Sequence, residues 1–329
     1  MSDQTPPITG VPVIDTPKIL EWPADTGNQE PSLSEPTANL FNDLHAEISQ
    51  CDMVLTTAGN YHMALKELWD LYLRKFPTDD PLRNWYYTTS PPIAKQQITN
   101  SLVQFGNVTA RCRPHIAVGP KKLIDSLVHA GFTMGDAVPI SKTRGNVLLV
   151  KKGNPKHVST IWDLSRNDMR VITPHRSLEA GSFALYANSI YDIAKYDHNP
   201  PSGMTAKDLF DTIFNGASSD PEKWLSGKRV HHREIPWSIA YGKADAAVIF
   251  YHLALHAVTT FPALFDIISL GGTITEPKPV SGNHTEILYA IRIQGNWTEK
   301  QHIATEKLME LFQSHEFTHI LGKHGLDRP

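Results

Sequence analysis

The chain has 329 residues, 20% of them charged and 40% hydrophobic, and a formal net charge of −3. That is the make-up of a globular protein with one large or two medium domains. It lacks the basic field that would favour nucleic acid or an anionic membrane. The two cysteines, Cys51 and Cys112, exclude a disulfide framework and lack zinc-site spacing.

The first 36 residues carry seven prolines and little periodic hydrophobicity. Such a stretch buries too little apolar surface to offset its ordering entropy, so an extended arm is expected. The N-terminus has no basic n-region and no apolar h-region, so no secretory leader is expected in the chain as given. That reading places it in the cytoplasm unless a leader has been removed. No apolar run reaches the roughly 20 residues of a membrane span. Asn107, Asn283 and Asn296 each open an N-x-T sequon, which we read as chance occurrences.

Residues 37–50 read as a short amphipathic helix. A strand at Met53–Thr57 runs through a glycine turn into a helical stripe of Met63, Leu65, Leu68, Trp69, Leu71, Tyr72 and Phe76. Asn60 stands at the natural N-cap of that helix. A second strand begins at Trp85. Ser90 with two prolines then opens a helix expected over residues 93–105, since proline suits a first helical turn. His115–Val118 and Lys121–Ala130 form a third strand and helix. Three β–α units in a row predict a parallel sheet flanked by helices.

Further strands are expected at 145–151, 171–173, 246–251, 265–270 and 287–293. Helices are expected at 180–191, 206–215, 235–241, 297–314 and near the C-terminus. The stretch VITPHRSLEAGSF, residues 171–183, is a buried strand, a polar turn and a glycine at a helix start. A helix start offers free N–H groups and the positive end of the dipole, which suits an anion. Asn60 and Ser90 stand at helix starts of the same kind.

The order of these motifs resembles the type 2 periplasmic-binding-protein fold, and within it the molybdate/tungstate-binding proteins of ABC importers. The matching stretches are AGNYHMALKELW (58–69), TTSPPIAKQQI (88–98), NVLLVKKGNP with IWDL (146–164), TPHRSLEAGSFA (173–184), GKADAAVIFYHLA (242–254) and LFQSHEFTHILGKHGL (311–326). The resemblance implies an α/β protein of two lobes, each a mostly parallel sheet flanked by helices, joined by two hinge strands. Residues 1–52 would be the arm and short helix. Residues 53–140 and 252–329 would form lobe 1, and residues 141–251 lobe 2. A small inorganic oxyanion would lie in the cleft. The resemblance carries its binding positions to Asn60 and neighbouring Tyr61, Ser90, Ala180 and Gly181 with neighbouring Glu179, His232, Phe250 and neighbouring Tyr251. Glu179 replaces a proline of the family pattern, Asn60 a serine, Phe250 a tyrosine and His232 a small residue.

The 16 histidines leave a second ligand class open. His62, Glu179, His232 and His252 have ligand chemistry suited to a divalent metal. His231, His252 and His256 are each more readily read as structural. No nucleophile–base spacing, phosphate loop or dinucleotide glycine pattern is legible, so an enzyme is not expected. The resemblance further implies a monomer with no required cofactor, an extracytoplasmic location and a membrane transporter as partner. A cytosolic ligand-sensing domain is the remaining alternative.

Overall fold

The computed structural model describes residues 44–45, 52–57, 61–77, 85–88, 95–105, 108–111, 113–177, 179–215, 223–227 and 231–329. In chain order its elements are β1 (Leu44–His45), β2 (Met53–Thr57), α1 (His62–Lys75), β3 (Trp85–Thr88), α2 (Lys95–Thr99), β4 (Leu102–Phe105), β5 (Val108–Arg111), β6 (Ile116–Pro120), α3 (Lys121–His129), β7 (Thr133–Thr143), β8 (Asn146–Lys151), β9 (Val171–Thr173), α4 (Ala180–Tyr196), α5 (Ala206–Phe214), β10 (Trp224–Ser226), α6 (His231–Ala240), β11 (Ala246–Phe250), α7 (Tyr251–Thr260), β12 (Phe265–Ile268), β13 (Ile287–Ile293), α8 (Glu299–Phe312), α9 (His315–Lys323) and β14 (Leu326–Asp327). A 3₁₀ turn spans Ile161–Ser165.

Two larger sheets organise these elements. The first has the order β1-β3-β2-β6-β13-β7-β14, the second β10-β9-β11-β8-β12. The expected parallel pairing holds for β3-β2-β6 and for β10-β9-β11. The strands that return to each sheet, β13 and β7 in one and β8 and β12 in the other, pair antiparallel. The second sheet takes β12 from residues 265–268, past the expected lobe 2 limit at residue 251.

Period-two alternation gives the first sheet two buried faces. Val118, Leu288 and Ala290 face a core filled by Leu68, Tyr72, Leu308 and Phe312. Ala117, Ile291 and Ile293 face the opposite side, against Ile98, Ile124 and Leu127. In the second sheet, Val147–Val150 and Ala246–Phe250 are buried along their whole runs. That is why these strands read as continuous apolar stretches with no polar alternation.

Several expectations are corrected. Leu44–His45 pairs antiparallel with Tyr87–Thr88, so the strand β1 stands where a helix over 37–50 was expected. Helix α2 ends at Thr99, and the LVQF segment forms β4, hairpin partner of β5. Leu, Val and Phe suit a strand as well as a helix, and a short apolar run carries no decisive period. The residue capping α1 is Tyr61, one position after the expected Asn60. Helices α4 and α6 reach further than expected, to Tyr196 and back to His231. Strands β7, β10 and β14 and helix α7 were not expected. Cys51, Cys112, the expected arm at 1–36, Asn60, Ser90 and the sequon at Asn107 lie outside the described residues. Among the described residues no helix is long and apolar enough to cross a membrane.

The chain passes between the sheets at Thr143–Asn146 and again over residues 269–286. Both passages meet at one buried polar cluster. The Asn146 N–H donates to Asn283 Oδ1 at 2.8 Å, and Asn283 Nδ2 donates to the Asn146 carbonyl at 2.9 Å. Asn146 Nδ2 donates to Ser189 Oγ at 2.9 Å, and the His284 N–H donates to the same hydroxyl. Gly145, at φ +77°, lies so close that a Cβ there would stand 2.7 Å from Pro279 Cγ and 3.0 Å from Asn283 Oδ1. Glycine alone fits both the left-handed turn and the contact. Asn283 is thus structural and its sequon is inaccessible in this fold, whereas Asn296 is exposed.

Candidate functional site

Helix starts carry unpaired N–H groups that something must satisfy. Three helices do this with their own caps. Thr205, Thr298 and Ser314 accept from the backbone at the starts of α5, α8 and α9. Helices α1 and α4 have no side-chain bond from their N-cap residues, Tyr61 and Glu179. Ala180 and Gly181, the first residues of α4, are exposed, and a Cβ on Gly181 would meet nothing within 4 Å.

Glu179 is turned away from its own helix. Its Oε2 accepts from the His231 N–H at 3.0 Å, so it caps the start of α6. Its Oε1 lies 2.8 Å from His231 Nδ1, and both side chains are buried. With Nδ1 donating to Glu179, Nε2 of the same ring is left to accept from Tyr186 Oη at 3.3 Å. The Tyr186 oxygen in turn accepts a long bond from the Phe250 N–H at 3.5 Å. Burial, first of all, holds the Tyr186 phenol well above its ordinary range, so it remains a donor. Replacing Tyr186 by phenylalanine should remove the acceptor of Phe250 and the donor to His231. We expect a loss of about 1–2 kcal/mol in chemical denaturation, and a loss under about 0.3 kcal/mol would show the relay to be energetically idle.

The cluster continues into the elements of the first sheet. Phe250 stacks on His252 with ring centroids 5.3 Å apart, and His252 stacks on Tyr61 at 5.0 Å. Tyr61 donates to Glu286 Oε2 at 3.5 Å. A single chain of contacts therefore runs from Glu179 through His231, Tyr186, Phe250, His252 and Tyr61 to Glu286, joining α4, α6 and β11 to α1 and β13. Burial raises the Glu286 carboxyl above the usual carboxylate range, and the bond from Tyr61 opposes that rise.

Among the sequence-derived candidates, the structure thus brings Tyr61, Glu179, Phe250 and His252 into one buried cluster. Ala180 and Gly181 stand beside it at the α4 start. His232 is half-buried next to His231, with ring centroids 6.1 Å apart. Tyr251 turns elsewhere, and packs where a Cβ on Gly325 would lie 2.9 Å from its Cε1. Asn60 and Ser90 lie outside the described residues, as does the His62 side chain. Among the described residues no group of three or more His, Cys, Asp or Glu side chains could hold a metal ion. Tyr186 and Glu286 were not singled out from the sequence. Tyr186 hides in the apolar stripe of α4, and Glu286 is a lone acid ahead of an apolar strand.

Known proteins fit this architecture. The family model described as bacterial extracellular solute-binding protein matches residues 115–327. No curated protein matches the chain. The periplasmic molybdate-binding protein of Azotobacter vinelandii superposes with a TM-score of 0.55 at 13% identity, covering 84% of this chain and 100% of that one. The sulfate-binding protein of Mycobacterium tuberculosis gives 0.56 at 15% identity, covering 84% and 86%. Peb3 from Campylobacter jejuni gives 0.52 at 14% identity, covering 84% and 100%. At these identities the likeness is one of fold: two α/β lobes of the periplasmic-binding-protein type. Since the family model spans more than half of the chain, the protein belongs to the bacterial extracellular solute-binding protein family.

Proposed function

We propose that the protein is the receptor of an ABC importer and that it holds a small tetrahedral oxyanion, molybdate- or tungstate-like, between its two lobes. The disposition of Glu179 carries this reading. Its carboxylate is held on the α6 start by His231, so this acid next to the α4 start is committed to another helix. The exposed N–H groups of Ala180 and Gly181 are then offered without a side-chain cap, at the positive end of a 17-residue helix. Neutral donors of this kind replace the hydration of a dianion without adding a fixed charge. Family membership supports the solute-binding role, and similarly folded proteins bear the names of molybdate and sulfate binders. As a receptor the protein would act outside the cytoplasm as a monomer, with a membrane transporter as partner, no required cofactor and no catalytic step.

The test is thermal unfolding with molybdate, tungstate, sulfate and phosphate, each with and without a chelator. An anion at 100 times its Kd should add roughly 2.7 kcal/mol of stability, and the gain should survive the chelator. Gly181→Asp makes the test local. There is open space for the new side chain, and an acid in the first turn suits the helix dipole, so stability should hold. The same carboxylate would occupy the place of the anion, and affinity should fall at least about tenfold, or 1.4 kcal/mol. Unchanged affinity in a folded Gly181→Asp protein would move the ligand away from α4.

A further inference from the structure

Glu286 is a carboxyl group in an unusual position. It precedes β13, at the point where the chain returns from the second sheet to the first. Its N–H donates to Thr143 Oγ1 at 2.8 Å, and its carbonyl accepts from the Thr143 N–H. The register Ile287↔Lys142 sets Glu286 opposite Thr143. Cross-strand partners share a face of the sheet, so Glu286 lies on the Thr143 side and Lys142 on the other. The side chain is half-buried. Among the described residues, the bond it accepts is the long one from Tyr61.

Among the described residues, the charges nearby do not neutralise it. Arg144 is paired with Asp327, and His284 with Asp192. Among the described residues no lysine or arginine pairs with Glu286. Among the described residues, the titratable groups that face it are the Tyr61 phenol at the start of α1 and the Tyr186 phenol from α4. His252 lies stacked on Tyr61, and Glu179 bears on Tyr186 from the far side. A half-buried carboxyl group that has, among the described residues, one weak bond and no cation is costly to keep as a mere structural part.

We propose that Glu286 is a ligand-contacting residue of the cleft, and that its carboxyl group takes up one proton from solvent when a fully ionised oxyanion binds, sharing that proton with the anion. The proposal rests on the oxyanion reading given above. An ionised carboxylate and a dianion repel at contact distance, whereas a protonated carboxyl group donates a hydrogen bond to the anion. The direction in which burial moves Glu286 favours that protonated form. An anion such as hydrogen phosphate, which carries its own proton, could donate to the carboxylate and would bind without uptake. Glu286 thereby sorts oxyanions by whether they bring a proton.

Calorimetric titration tests this on the unaltered protein. Sulfate and molybdate are titrated at one pH in two buffers of different ionisation enthalpy. The expected result is about one proton taken up per anion bound, with affinity falling about tenfold per pH unit once Glu286 is ionised. Hydrogen phosphate should show no uptake. Glu286→Gln, whose amide can donate but cannot titrate, should flatten the pH profile for sulfate. Binding of sulfate or molybdate with no proton uptake would overturn the role of Glu286 and leave the oxyanion receptor standing. A pH profile unchanged in a folded Glu286→Gln protein would do the same. No heat and no thermal stabilisation with any oxyanion would overturn both.

Discussion

Replacing Asn283 by alanine is expected to lower the unfolding free energy by about 3–5 kcal/mol, because buried backbone groups lose their partners. Asn283 is 8% exposed, yet its side chain makes three bonds to main chain. It accepts from the Asn146 N–H, and it donates to the carbonyls of Asn146 and, at 3.3 Å, Leu270. Alanine would leave that N–H and the Asn146 carbonyl without their side-chain partner in a place already crowded by Gly145 and Pro279, while the Leu270 carbonyl keeps the Val280 N–H. The cost falls on the two passages between the sheets, so the variant should also lose the sharp cooperativity of a single transition. Denaturant unfolding of Asn283→Ala against Asn296→Ala provides the comparison. Asn296 is exposed and its substitution should stay within about 0.5 kcal/mol of the parent. A loss under about 1 kcal/mol at Asn283 would mean that water replaces the side chain at no great cost.

His115 gives the second large effect, and it appears as a dependence on pH. The ring is 4% exposed, lies against Trp297 with centroids 4.0 Å apart, and accepts the Val54 N–H at Nδ1. Burial lowers its pKa from 6.5 to about 4. Above pH 6.5 the ring is neutral in both folded and unfolded chains, and its stabilising contribution is whole. Between those values the unfolded chain binds a proton that the folded one refuses, so stability falls as pH falls. Below about 4 both forms are protonated and no further loss arises. The total is about 3 kcal/mol, at 1.36 kcal/mol per pKa unit. Subtracting the unfolding curves of His115→Gln from those of the parent between pH 4 and 7 isolates this share. Parallel curves in the two proteins would show that His115 titrates freely.

Much of the framework was legible from local pattern. Val147–Val150 and Ala246–Phe250 are apolar at every position because both faces of the second sheet are covered, and such runs declare themselves as strands. The stripe from Met63 to Tyr72 declared α1, and the amphipathic run over 297–314 declared α8, which spans Glu299–Phe312. Taken in order, the motifs were enough to suggest a two-lobed solute-binding fold, which the family match and the structural neighbours bear out. The LVQF segment shows the limit: four residues fit either period, and pairing with β5 decided it.

The polar contacts of the buried clusters were decided by the tertiary structure. In the sequence Glu179 is a departure from the family pattern beside the α4 start, and only the structure shows that its carboxyl group caps α6, 52 residues along the chain. Tyr186 meets His231 across 45 residues, Asn146 meets Asn283 across 137, and Tyr61 meets Glu286 across 225. Hydrophobic periodicity is a property of neighbouring residues, set by the geometry of one helix or strand, and a sequence displays it directly. A polar side chain finds its partner only after the sheets have assembled. Its bond therefore depends on register, crossing points and burial, and none of these leaves a mark on the residues beside it.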